Sequence, residues 1–419
     1  MVALAADALP FKDLPHHSPQ PGRAMENVKK NVALLATCQA LLFTNNTTAI
    51  AINGLAGFAL ASDKALATLP ATGLVIGGAL ATFPASLLMK RIGRRGGFIV
   101  GAIIGILGAL LSTAAVFQES FWLLCLGTVV LGMYNGGAQY YRFAAADASP
   151  PDFKSKAISL VLAGGLVGGL VGPELSKHTV DLFSVRYAGA YLVLTVFHVL
   201  AIMVLSALRI PDPGAEERHG AARPLAQIVM QPTFAVAALS SALGYGVMNL
   251  LMTASPLAMG VCGHPFAAAA FVIQWHVVGM FAPSFFTGSL IRALGVINVM
   301  LIGALLMLVC IAIALAGLTV AHFWFSLVLL GIGWNFLYIG GTTLATETYR
   351  PAEKAKAQGA NDLIIFVVMA SSSFLSGMLH QSSGWETLNY IAIVPVLAIA
   401  VGLLFLMFRG RPGALAPSA

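Results

Sequence analysis

Apolar segments of roughly 20 residues, each able to cross a hydrocarbon layer about 30 Å thick, recur along this chain and limit its fold more than anything else. Twelve are expected, at about 32–58, 65–89, 97–117, 121–146, 157–177, 188–208, 232–257, 266–290, 296–317, 322–346, 357–378 and 387–408. Lipid supplies no partner for an unpaired backbone amide, so a segment that crosses alone must be a helix. Composition agrees: 58% of the 419 residues are hydrophobic and 9% charged, against about a quarter charged in a soluble domain. The expected class is an all-α membrane protein.

The net charge of +7 suggests a polyanion partner until the charges are placed. Nineteen Lys and Arg residues fall in the tails and in the loops on one side, among them Lys90, Arg91, Arg94, Arg95, Lys154, Lys354 and Arg409. Three, Lys64, Lys177 and Arg186, fall on the other, and Arg142 lies within a span. This asymmetry is the positive-inside pattern, which puts both termini in the cytoplasm and excludes nucleic acid as the reason for the charge. Cys38, Cys125, Cys262 and Cys310 show no CxxC spacing, so no disulfide framework is expected.

The chain is written twice. Residues 1–31 read as a cytoplasmic tail, the first 28 of them disordered, with His16-His17 a solvated pair. Residues 32–208 read as six helices, 209–231 as a linker without periodicity, 232–408 as six more helices, and 409–419 as a second tail. At an offset of 200, Tyr134-Asn135 matches Trp334-Asn335, Asp147 matches Glu347, and Pro151, Lys154 and Lys156 match Pro351, Lys354 and Lys356. At 202, Ser86-x3-Lys90-x2-Gly93 matches Gly288-x3-Arg292-x2-Gly295. Parallel six-helix repeats are a transporter architecture.

The loop SLLMKRIGRRGGF resembles the signature loop of the major facilitator superfamily, Gly-x3-Asp-x2-Gly-Arg-Arg, through Gly93, Arg94 and Arg95. The resemblance spans the whole chain and implies two pseudo-symmetric six-helix bundles. Ser86 replaces the first glycine and Lys90 the aspartate that latches the cytoplasmic side in that family. A latch must then draw its counter-ion from elsewhere, and Asp362 is the candidate; Lys90 is equally readable as one more positive-inside charge. Arg142 and Asp147, five residues apart, read as a structural ion pair. The expected gate is Lys90, Arg91, Arg94, Asp362, Arg142 and Asp147. No carboxylate is expected near the membrane centre.

Soft ligands make a second pattern. MNLLM places Met248 and Met252 on one helix face, and HVVGM places His276 and Met280 on one face of the next span. Thioethers and neutral imidazole suit Cu(I) and suit magnesium, calcium or manganese poorly. Fifteen methionines predict about 0.5 MxxxM pairs by chance and nine histidines about 0.3 HxxxM pairs, and each occurs once. Spacing alone admits two readings equally, a metal site or methionine filling an apolar core. At the outer turn Met259, Cys262 and His264 offer a metal entry or redox group, against a turn in which they merely pack.

MNLLM and WHVVGMFAPSFFTG together resemble the CcoA-type copper importers of bacterial inner membranes. That resemblance implies Met248, Met252, His276 and Met280 as ligands and copper, as Cu(I), as transported substrate, taken up by alternating access for haem–copper oxidase assembly. It implies copper donor or acceptor proteins as partners besides the lipid bilayer, a monomer, and no other cofactor. Some relatives carry riboflavin instead, for which Tyr140, Tyr141, Trp275 and Asn335 are the candidate contacts. A drug/proton antiporter is a third reading. A copper sensor is disfavoured because nothing in the short linker or tails resembles an output domain. Without a nucleophile–base spacing or a nucleotide-binding motif, an enzyme is not expected, and gradients rather than ATP should drive transport.

Overall fold

The computed structural model describes residues 21–63, 66–210 and 214–409; residues 1–20 and 410–419 of the expected tails lie outside them. The first half comprises α1 (Pro21–Leu60), α2 (Leu69–Phe117), α3 (Phe121–Ala138), α4 (Tyr141–Asp147), α5 (Lys154–Thr179) and α6 (Ala188–Ser206). Short helices α7 (Ala215–His219) and α8 (Leu225–Val229) lie in the linker. The second half comprises α9 (Pro232–Val261), α10 (Phe266–Phe281), α11 (Ser284–Leu294), α12 (Val296–Ala316), α13 (Val320–Ala345) and α14 (Lys354–Phe408).

Eight of these segments are long and apolar enough to cross a membrane, and the bent pair α10–α11 makes nine. The first helix α1 is a tenth, diluted by its polar run Thr44-Asn45-Asn46-Thr47-Thr48. Non-helical Gly93 divides α2 into two crossings, and the part of α14 before Gly384 is the twelfth. The twelve coincide with the expected spans. Between α10 and α11 the axis bends by 43° at Pro283, whose ring and missing N–H interrupt the helical ladder. Leu80, Trp122, Val394 and Phe408 are exposed, as suits helices whose outer faces meet lipid.

The repeat is visible in the backbone. Gly93 and Gly295 both turn the chain at positive φ, 80° and 85°, where a side chain is disfavoured. Single 3-10 turns at Pro151–Phe153 and Pro351–Glu353 precede α5 and α14.

Two expectations need correction. The helix starts at Pro21, so 21–31 is not irregular tail: proline suits the first helical turn, Val28 packs on the first-half core, and Asn31 ties to the Arg209 backbone at 2.8 and 3.1 Å. The linker likewise carries α7, tied to Lys354 through Glu217, and α8, whose Ile228 is buried against Phe234, Ala357 and Ala360.

Helices in lipid associate through close packing more than water exclusion, which favours small residues at contacts. A Cβ on Gly132 of α3 would collide with the Leu74 carbonyl of α2, and one on Gly77 with that of Val129. Gly132→Val is therefore expected to cost about 1–3 kcal/mol by overpacking and to lower the melting temperature of the detergent-solubilised protein. Gly214→Ala, with open space around its Cβ, should leave it unchanged. Size-exclusion profiles after stepwise heating compare the two.

Candidate functional site

Between the two halves lies a cavity of ≈ 160 Å³. From α1 it takes Phe43, Asn46, Thr47 and Ile50, and from α14 Asp362, Ile365, Phe366 and Met369. Both sets follow the i, i+3, i+4, i+7 spacing of a single helix face. Asn135, Gln139, Tyr245 and Tyr338 complete most of the remaining wall. Amide groups thus come from the first half and most aromatic rings from the second. Tyr338 stacks on Trp334 at 5.0 Å, and Tyr245 meets both rings edge-on. Phe43 packs across the interface against Phe281 at 4.7 Å.

At the end of the cavity towards the basic loops, the two halves are tied by polar contacts. Arg142 pairs with Asp362, both nearly inaccessible to solvent. The same guanidinium donates to the Thr342 hydroxyl at 3.2 Å and to the Gln139 carbonyl at 2.6 Å, and lies over the Phe143 and Tyr338 rings. Arg94 pairs with Asp147 at 2.8 Å and donates to Gln358. Ser86 donates to the Ala355 carbonyl at 2.8 Å, Lys90 to that of Ala352 at 3.3 Å, and Ser159 to that of Ser284. Farther from this end α5 and α10 meet through apolar groups, Phe281 on Gly165 and Val277 on Gly169. The structure is a state closed at its basic end.

Several expected pairings change. Arg142 does not pair with Asp147, because its side chain turns into the interface while Asp147 meets Arg94 and Lys354. Asp362 neutralises Arg142 and not Lys90, whose ammonium reaches a carbonyl instead. Arg91 is exposed beside this latch. The serine in place of the signature glycine supplies a cross-interface hydrogen bond. Asp362 also lines the cavity wall.

The soft-ligand residues lie elsewhere. Met248 and Met280 are buried and Met252 half-buried in the second-half core. His276 donates from Nδ1 to the Leu327 carbonyl at 2.7 Å, and its Nε2 is buried without a hydrogen-bond partner among the described residues. None of the four lines the cavity. Of the outer trio, Met259 is buried, Cys262 exposed, and His264 donates to the Leu318 carbonyl at 2.7 Å. The residues first considered for a flavin are also displaced. Tyr140 donates to the Thr82 carbonyl, Tyr141 is core, Trp275 faces outward, and Asn335 is occupied by Thr287, Met280 and Ser284.

Residues 34–292 and 266–419 match the family model for the Major Facilitator Superfamily. The chain belongs to that superfamily. It is 42% identical over 391 residues to the riboflavin transporter RfnT of Brucella anthropi, covering 92% of this chain and 98% of that protein. Among solved structures it is similar to FucP in the outward conformation, with TM-score 0.69 and 17% identity over 91% of this chain and 98% of FucP. It is also similar to an outward-facing bacterial homologue of the iron transporter ferroportin, with TM-score 0.72 and 12% identity over 89% and 98% of the two chains.

In this secondary transporter the linker reinforces the closed end. Arg223 of the linker grips Glu353 through Nε and Nη2, both at 2.6 Å, and through its backbone N–H at 3.0 Å. Lys354 joins Glu217 of α7 at 3.0 Å to Asp147 at 3.5 Å. The Arg223 hydrogen bonds hold the Glu353 carboxyl down at about 2, against the opposing effect of its burial. A depressed carboxyl contributes stability that is complete above its unfolded value and is lost as pH falls towards the folded one. Glu353→Gln should therefore melt below the wild type at pH 7, with the gap narrowing below about pH 4 as the wild type itself loses the contribution. Thermal melts across that range read the gap.

Proposed function

We propose that this superfamily member imports riboflavin across the bacterial inner membrane by alternating access, driven by a gradient and acting as a monomer with both termini cytoplasmic. The single observation that carries the reading is the 42% identity to a riboflavin transporter along nearly the entire chain. The cavity's chemistry supports it. An isoalloxazine ring is flat, aromatic and rimmed with amide-type donors and acceptors, and it suits Phe43, Tyr245 and Phe366 as aromatic contacts with Asn46, Asn135 and Gln139 at its edge. With the basic end latched, substrate enters from the opposite side.

Copper import is a second reading, favoured by one specific feature. Donation from His276 Nδ1 leaves Nε2 as an unprotonated lone pair, buried within a helix pair that also carries Met248, Met252 and Met280. A soft cation suits that donor set. Under this reading those four residues are the ligands, and no resident cofactor is needed.

Uptake of radiolabelled riboflavin and of copper, measured in parallel in bacteria lacking their own importers, separates the two. Phe43→Ala and Tyr245→Ala are each expected to cut riboflavin uptake by roughly tenfold, as lost stacking worth about 1–3 kcal/mol implies, at matched membrane abundance. Met252→Ala and His276→Ala should leave riboflavin uptake intact. Copper uptake that collapses in those two variants, with no riboflavin accumulation by the wild type, would overturn the flavin reading.

A further inference from the structure

We infer that Asp362 is a proton-binding site, and that a proton taken up there from the side opposite the basic loops travels with the substrate by releasing the latch between the two halves. For its transport assay this rests on the riboflavin reading.

Geometry carries the inference. Asp362 is the one carboxylate among the described residues that lines the cavity, and it also holds the buried ion pair across the interface. Its two oxygens differ. Oδ1 receives the Arg142 guanidinium and, at 2.8 Å, the Asn361 amide. Oδ2 is buried with no donor among the described residues. Oδ2 is thus the oxygen open to a proton, and a buried acceptor without a donor is an uncommon arrangement that protonation would relieve.

The surrounding groups make the exchange one-sided. Facing Asp362 are Arg142 from α4, Arg94 from α2, Tyr140 between α3 and α4, Tyr338 from α13, and Tyr349 beyond it. None is a second carboxylate that would hold the proton in its place. Opening the basic end must pull Arg142 from Asp362, and separating a buried ion pair strands both charges in a poor solvent. A proton added to Oδ2 makes Asp362 a neutral acid. Arg142 stays charged, yet keeps its first-half partners, the Gln139 carboxamide and carbonyl and the Phe143 ring face. After opening, Asp362 gives the proton to water on the basic side, and the pair re-forms as the halves close.

The test uses the purified full chain in proteoliposomes with the membrane potential clamped. Riboflavin exchange without any gradient establishes the substrate independently of coupling. An imposed pH gradient, acid on the entry side, should then drive net accumulation by the wild type, rising about tenfold per pH unit for one proton per substrate. Asp362→Asn should lose that dependence in whatever flux remains, and Asp362→Glu should retain it. Asp147→Asn, which weakens the latch outside the cavity, should also retain it. Exchange by the wild type with accumulation indifferent to the gradient would overturn the inference and leave the flavin reading standing. Absence of exchange would count against the flavin reading alone. In that case an infrared pH titration decides: a carboxylic-acid band present in the wild type and missing from Asp362→Asn supports the site, and its absence from the wild type overturns it.

Discussion

The Arg142–Asp362 pair is the contact on which the observed state depends. It is buried, it joins α4 to α14, and its Asp362 lines the cavity. Removing one partner of such a pair typically costs about 3–5 kcal/mol because the other charge is left bare. The remaining closures, Ser86 to Ala355 and Arg94 to Gln358 among them, lie around this pair. Its position makes closure of the basic end and the chemistry of the cavity one event. Any ligand that disturbs Asp362 also acts on the interface.

The aromatic surroundings explain why the cation here is an arginine. The guanidinium is flat, lies over Phe143 and Tyr338, and still directs separate donors to Thr342, Gln139 and Asp362. A lysine ammonium offers no planar face for the rings and no fixed fork for three partners. Tyr338 in turn stacks on Trp334, so the cavity wall is continuous with the second-half core.

Much of the fold was legible in the sequence, because span length and the internal repeat are one-dimensional properties. Twelve apolar runs and the match of Gly93 with Gly295 led to two six-helix halves. Helix rotation was not legible. It decides that Asn46 faces the cavity while its neighbour Asn45 bonds His198, and that Asn135 lines the cavity while its repeat mate Asn335 is tied to Ser284 and Thr287. A periodic signal was nonetheless present: Phe43, Asn46, Thr47 and Ile50 repeat the spacing of Asp362, Ile365, Phe366 and Met369. Reading those polar residues as members of a face, rather than singly, would have found most of the cavity. The methionine and histidine pairs drew attention because their spacing is rare, but rarity along the chain does not say which way a side chain turns.

The linker also makes the two halves mechanically unequal. Its later part is bound to the second half, through Arg223 on Glu353 and Ile228 in the pocket with Phe234 and Ala357. That part rides with the second half as ballast. Earlier in the linker Glu217 also reaches the second half at Lys354, while Arg209 stays tied to Asn31 of the first half. A strap anchored to the first half at Arg209 and to the second at Glu217 and Arg223 limits how far those anchor points can part while its contacts hold.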